Sequence, residues 1–265
     1  MVYYNEFDEP TAWWLKGLSD NGVIPKGFVD TRSIVDVDPE ELKQYTQCHF
    51  FAGIGGWAYA LMLANVREDV SVYTGSCPCQ PYSVAGKKKG NEDDRNLWPY
   101  FYRIINENKP SVVIGEQVAS AVKFGWLDQV ENDLEASCYS TGAAVLTASM
   151  LGAPHTRRRL YWGGVRTEVL GDTHSFGCAR GMSVGIEGGS SGQLQSHDQE
   201  RVSGGKCFWE HGTWQKGTNG VALMFEPGDF PLVNGVPNRV LKYRGYGNAI
   251  VPQVGAMFTK ALLGI

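Results

Sequence analysis

The chain lacks what several functional classes require. No apolar run approaches the length of a membrane span, and residues 1–20 do not run from a charged start into an apolar stretch as a secretory leader does. Cysteine is sparse, six in 265 residues. Without a secretory signal these read as free thiols in a reducing cytoplasm, not as a disulfide framework. Cys77 and Cys79 stand one residue apart instead of the two of a zinc site, and no His/Cys pair follows at ligand spacing, so no metal is expected. Excess positive charge is missing too. With 24 Lys and Arg against 28 Asp and Glu the net charge is −4, so any surface for nucleic acid has to be a local one.

What is present suits a globular catalytic domain with a smaller lobe: 43% of the residues are hydrophobic and 20% charged. Basic residues cluster at Lys87-Lys88-Lys89, at Arg157-Arg158-Arg159 and at Arg239, Lys242 and Arg244. Taken singly, each cluster is equally a solvated face. The most constrained stretch is Gly75-Ser76-Cys77-Pro78-Cys79-Gln80-Pro81-Tyr82-Ser83. Its prolines stiffen the backbone around Cys79, and the β-rich Val70–Thr74 reads as a buried strand that delivers the thiol at its C-terminal edge. Open α/β sheets carry their chemistry at that edge.

The remaining elements follow in order. A helix is expected around Trp13, Trp14, Leu15 and Leu18, then a strand or strand end at Val29–Ile34 and a capped helical turn at Asp38–Leu42. Gln47–Phe51 reads as a strand running into Ala52-Gly53-Ile54-Gly55-Gly56 and a helix from Trp57, the opening unit of a nucleotide-type fold. Residues 84–95 are polar, hinged by Gly86 and Gly90 and basic at the tip, the composition of a mobile lid or a surface loop. Helices are expected over Leu97–Asn106 and Trp126–Glu135, and strands over Val112–Val118, Ala143–Leu146 and Leu160–Val165. Glu116, near the end of an apolar strand, is costly there unless paired or catalytic. Arg157 and Arg159 alternate and so share a face. Across residues 166–235 Gly and Ser rise and apolar periodicity fades.

Several of these stretches resemble motifs of the cytosine-C5 DNA methyltransferase family. Pro78-Cys79-Gln80 resembles its nucleophile motif, and Phe51-Ala52-Gly53-Ile54-Gly55-Gly56 its S-adenosylmethionine-binding turn. Glu116-Gln117-Val118 is similar to its Glu-Asn-Val. His155, Arg157 and Arg159 fall on its Gln-x-Arg-x-Arg, and Gly247-Asn248-Ala249-Ile250-Val251-Pro252 looks like its last motif. Five motifs in family order span residues 50–252.

The resemblance implies an α/β fold, a Rossmann-like methyltransferase sheet with a small, irregular target-recognition lobe. It divides the chain into an N-terminal segment 1–46, a catalytic domain of 47–165 plus 236–265, and a target-recognition region 166–235. It implies a compact enzyme of bacterial or phage type, a cytoplasmic monomer without membrane contact. Such an enzyme moves a methyl group from S-adenosylmethionine to C5 of a flipped cytosine in double-stranded DNA. Cys79 would be the nucleophile at C6, a protonated Glu116 would meet the ring N3, and Arg159 and Arg157 would hold the base O2 and the pocket. Phe51, Gly53, Ile54, Gly55, Gly56, Trp57, Pro78 and Asn248 would form the cofactor site. Gln80, Ser83, Lys87, Lys88, Lys89 and Arg95 would face DNA. An RNA cytosine methyltransferase and a catalytically silent DNA-binding relative stand as alternatives, whereas an NAD-type oxidoreductase accounts for the glycine turn alone.

Three departures from the family pattern stand out. His49 replaces an Asp two residues before the Phe of the glycine motif, and Gln117 replaces an Asn. Only 22 residues separate Gly56 from Cys79, too few for the two strand–helix units the family places there, and no acidic residue for the cofactor ribose is evident. The segment from Asp30 resembles the family's adenine-binding strand end. Either it fills the gap from the N-terminal side, with Asp30 as a cofactor contact, or it is an edge strand without a ligand.

Overall fold

A computed structural model describes residues 1–78, 96–153, 155–170, 213–216, 222–225 and 248–265. Its centre is a seven-stranded mixed sheet. In chain order the strands are β1 (Val2–Asn5), β2 (Gly27–Asp30), β3 (Gln47–Phe50), β4 (Val72–Gly75), β5 (Val112–Val118), β6 (Tyr139–Thr147) and β7 (Arg158–Arg166). In space they run β2-β1-β3-β4-β5-β7-β6. The first five are parallel, and β7 is antiparallel to both β5 and β6.

That order explains the short interval after the glycines. The glycine strand β3 is third in the chain but lies beside β4, with β1 and β2 beyond it. The chain therefore builds one side of the sheet before it reaches the glycine turn, and residues 1–46 supply two strands of that same sheet.

The helices are α1 (Glu9–Asp20), α2 (Pro39–Leu42), α3 (Gly56–Leu63), α4 (Trp98–Asn108), α5 (Trp126–Ala136), α6 (Thr167–Leu170) and α7 (Pro252–Leu263). Side chains alternate across the strands, so each strand feeds two cores. Tyr3, Phe50, Tyr73, Val113 and Trp162 point to one face, where α4 and α5 bring Trp98, Phe101 and Trp126. Trp98, Trp126 and Trp162 meet edge to face, with ring centres 5.4–6.0 Å apart, a favoured quadrupole geometry. On the other face Val72, Ile114 and Tyr161 pack against Trp57 and Leu61 of α3 and Val254 and Phe258 of α7. Tyr4, Leu15, Ile24 and Ala58 form a third, smaller group.

Local signals set several ends. Asp8 caps α1 by accepting the Thr11 N–H, and Pro10 suits the first turn because its missing N–H has no helical partner there. Asp38 caps α2 in the same way, ahead of Pro39. The expected strand Val29–Ile34 stops at Asp30, and a 3₁₀ turn, Ile34–Asp36, follows behind its own cap Ser33. Trp13 is 80% exposed, so α1 uses Ala12, Leu15 and Ser19 as its inner face instead.

The region 166–235 is described only at its start and in β8 (Thr213–Lys216) and β9 (Ala222–Phe225), an antiparallel pair. Among the described residues no helix is long and apolar enough to cross a membrane.

Candidate active site

A cleft of about 660 Å³ opens at the C-terminal ends of β1, β3, β4 and β5, the edge where open parallel sheets bind ligands. One wall carries Asn5, Glu6, Phe7, Asp8, Phe51 and Gly53; the other carries Cys77, Pro78, Glu116, Gln117, Arg157 and Arg159. Asn248 lines it as well. Of the residues singled out from the sequence, the cleft thus gathers Phe51, Gly53, Pro78, Glu116, Arg157, Arg159 and Asn248.

The carboxylate wall follows from strand register. Glu116 pairs across β5 and β7 with Tyr161. Arg159 is two residues along from Tyr161, hence on the same face and diagonally adjacent to Glu116. The Arg159 Nε lies 2.9 Å from Glu116 Oε1, an ion pair whose N–H is not directed along the contact. Glu116 is 7% exposed. Burial raises its pKa, and the charges of Arg159 and Arg157 oppose this without cancelling it. Close packing fixes the strand behind it. A Cβ on Gly115 would lie 2.2 Å from the Trp162 ring and 2.3 Å from the Gly75 carbonyl oxygen, so only glycine lets β4, β5 and Trp162 close up here.

Arg157 turns elsewhere. Its Nη2 donates to the Ala249 carbonyl at 2.6 Å, tying the start of β7 to the Asn248–Ile250 segment. The two arginines line one cleft and divide the work: Arg159 holds the carboxylate, and Arg157 holds the segment that carries Asn248.

The glycine wall contains a residue that the sequence did not single out. Glu6 follows β1 and accepts the Gly53 N–H at 2.7 Å and the Asp8 N–H at 3.0 Å. Burial raises its pKa, while those two backbone donors lower it in part. The signal was faint but present: Val2-Tyr3-Tyr4-Asn5 has the β-branched and aromatic composition of a strand, and an acid stands at its C-terminal end. Gly53 has φ +55, and a Cβ there would meet nothing within 4 Å; backbone conformation, not crowding, selects glycine at this turn.

The other expected cofactor residues lie just outside the cleft lining. Gly55 abuts Ile24 and Leu15, and Gly56 abuts Ile250. Ile54 is half-buried. The Trp57 Nε1 donates to Ser76 Oγ at 3.0 Å and so pins α3 to the exit of β4. Asp30 does not line the cleft: Arg32 Nη2 at 2.7 Å and the Tyr3 hydroxyl at 2.8 Å occupy its carboxylate. Burial pushes the Asp30 pKa up, but these partners outweigh it and leave the carboxyl below its usual range. Ser33 and Ile34, just beyond, do line the cleft. Cys79, Gln80, Ser83, Lys87, Lys88, Lys89 and Arg95 lie outside the described residues.

His49, in the place of the family's Asp, is buried and stacks on Tyr4 with ring centres 5.2 Å apart. Its Nδ1 pairs with Thr74 Oγ1 at 2.8 Å. Desolvation pulls its pKa down to about 3, so it is a neutral ring bracing β3 against β4.

The residues present fit S-adenosylmethionine. A glycine turn at φ +55 stands beside open space, an aromatic ring at Phe51 flanks it, and a carboxylate, Glu6, closes one side.

The model of a family described as C-5 cytosine-specific DNA methylase matches residues 64–210, more than half of the chain. The Type II methyltransferase M.HhaI of Haemophilus parahaemolyticus is 39% identical over 97 residues, which are 35% of this chain and 30% of that protein. M.XorII of Xanthomonas oryzae pv. oryzae is 29% identical over 149 residues, 54% of this chain and 31% of its own. The chain spans about a third of the length of the curated relatives it matches. Among solved structures, the Entamoeba histolytica methyltransferase EhMeth covers 100% of this chain and 98% of its own, with a TM-score of 0.54 and 12% identity, a likeness of fold.

Proposed function

Because the chain belongs to the C-5 cytosine-specific DNA methylase family, we propose that it methylates C5 of cytosine in double-stranded DNA, with S-adenosylmethionine as donor. The observation that carries this reading is one cleft shared by two chemistries: the Glu116–Arg159 pair on one wall and the glycine turn with Glu6 on the other.

When bound, S-adenosylmethionine supplies a methyl group on a positively charged sulfur. Glu6 would accept from the ribose hydroxyls, Phe51 would stack on the adenine, and Gly53 and Asn248 would complete the pocket, with Arg157 holding the Asn248 segment in place.

Cytosine C5 is a poor nucleophile until a thiolate adds at C6. Cys79 supplies that sulfur, by its place in the Pro-Cys-Gln motif. Addition drives electron density toward N3. Glu116, whose pKa is raised by burial, would donate a proton there. Arg159, charged and beside Glu116, holds the base O2. C5 of the resulting enamine then takes the methyl group. Loss of the C5 proton to water, with the N3 proton returned to Glu116, would restore the double bond and expel the Cys79 thiolate, leaving 5-methylcytosine and S-adenosylhomocysteine. Reaching C5 and C6 requires the base outside the duplex.

Tritiated methyl transfer into duplex DNA and into tRNA tests the reading, and bisulfite sequencing of DNA from expressing cells supplies the recognised sequence. Incorporation into DNA is expected. Incorporation into tRNA alone would move the substrate to RNA, and none into either would remove the activity.

A further inference from the structure

Gln117 has no part in the chemistry above, yet it is 2% exposed and lines the cleft on the wall of Glu116. Successive strand residues point to opposite faces, so its side chain projects away from Glu116, onto the face of Trp162. Both ends of its amide are occupied. Oε1 accepts the Val118 N–H at 3.0 Å. Only a carbonyl oxygen can face that donor, which turns Nε2 toward the Cys77 carbonyl, 3.3 Å away.

The place of this contact matters. The parallel ladder of β4 and β5 ends at the pair Gly75↔Gly115. Continued by two residues, the same register would set Cys77 opposite Gln117. At that position the Gln117 side chain replaces the missing backbone bond and carries the hold of β5 onto the chain as it leaves β4. A buried carbonyl such as that of Cys77 needs a donor, and this amide is one. Pro78 follows and stiffens the exit, so a direction set at Cys77 is passed on to the next residues.

We propose that Gln117 is a positioning residue for methyl transfer: its amide, braced by Val118, fixes the Cys77 carbonyl and with it the direction in which the chain enters the thiol motif. The inference rests on the methyltransferase reading. A reacting group displaced by 1 Å costs about 10²-fold in rate, so a brace two residues from the nucleophile acts on the rate of attack, not on cofactor affinity.

The test uses Q117M, which keeps length and removes the amide, and Q117E, which keeps an acceptor for Val118 and removes the donor. The readout is the single-turnover rate of covalent capture on duplex DNA carrying 5-fluorocytosine in the recognised sequence, at saturating S-adenosylmethionine. Melting temperature and S-adenosylmethionine affinity are measured alongside. Both variants are expected to capture about 10- to 100-fold more slowly, with cofactor affinity within about 3-fold of wild type. Should Q117M fail to fold, Q117E, which retains the Val118 contact, carries the comparison. Capture at the wild-type rate by either folded variant, with only the melting temperature lowered, would reduce Gln117 to a structural residue and overturn the proposal. A wild-type protein that never forms the adduct would instead sink the methyltransferase reading itself.

Discussion

The two walls of the cleft are built in different ways. On the carboxylate wall, neighbouring antiparallel strands put Glu116 and Arg159 side by side through one register, and burial then raises the acid's pKa. On the glycine wall, Glu6 meets Gly53 across 47 positions of sequence, because β1 and β3 are adjacent in the sheet with β2 made between them. The first wall is a matter of side-chain charge in a dry place; the second is one of backbone conformation and strand order. Substitutions at the Glu116–Arg159 pair should therefore act on kcat, and substitutions on the second wall, or at Arg157, which holds the Asn248 segment, on cofactor affinity.

The sharpest division is expected at Glu116. E116Q should lower kcat by about 10²- to 10⁴-fold, the range for a positioned acid, with little change in cofactor affinity. The sign of the pH dependence follows from burial. The pKa is raised, so the working acid is present below it, and kcat falls as pH rises through it. E116Q should flatten that alkaline limb; a limb that persists belongs to another group.

The arginines provide the next test. R159A should reduce kcat by about 10²-fold, as for loss of a donor to developing charge. R157A releases the Ala249 carbonyl and should raise the KM for S-adenosylmethionine by about 10-fold, the scale of a charged hydrogen bond. Equal kcat effects from both would erase the division of labour between the two arginines. E6Q should weaken S-adenosylmethionine binding by a further step of about 10-fold in calorimetry and leave single-turnover chemistry at saturation intact. Binding should also weaken as pH falls through the raised Glu6 pKa, because the protonated acid offers one acceptor fewer. The smallest effect is expected at the surface. W13A should shift stability by no more than about 0.5 kcal/mol, since Trp13 is 80% exposed.

The same contrast governs what the sequence made legible. Glu116, Arg157 and Arg159 could be read because each sits in a short motif, and for Glu116 and Arg159 strand character fixes the side the residue faces. Their division of labour could not, because it depends on Ala249, more than ninety positions away in the chain. The glycine turn was legible as a turn. Glu6 was not, since expectation placed an acid after the glycines, whereas Glu6, the residue proposed for the ribose, follows the strand that opens the chain. Asp30 was recognised as a strand end, but Arg32 and Tyr3 already occupy its carboxylate, and such occupancy leaves no trace in local pattern. The helix around Trp13 was legible and its inner stripe was not: hydrophobicity alone does not say which side of a 3.6-residue helix faces inward, and Leu15 and Ala12 take that side.

The central claim is that one cleft joins a nucleophilic sulfur at Cys79 to a base held by Glu116 and Arg159 while the glycine wall holds the methyl donor. Peptide mass mapping after incubation with S-adenosylmethionine and 5-fluorocytosine duplex DNA tests it most directly. The account predicts a stable adduct on Cys79, formed only with the cofactor present, absent in C79S and slowed in E116Q. An adduct on Cys77, or 5-methylcytosine formed at the wild-type rate by C79S, would contradict it.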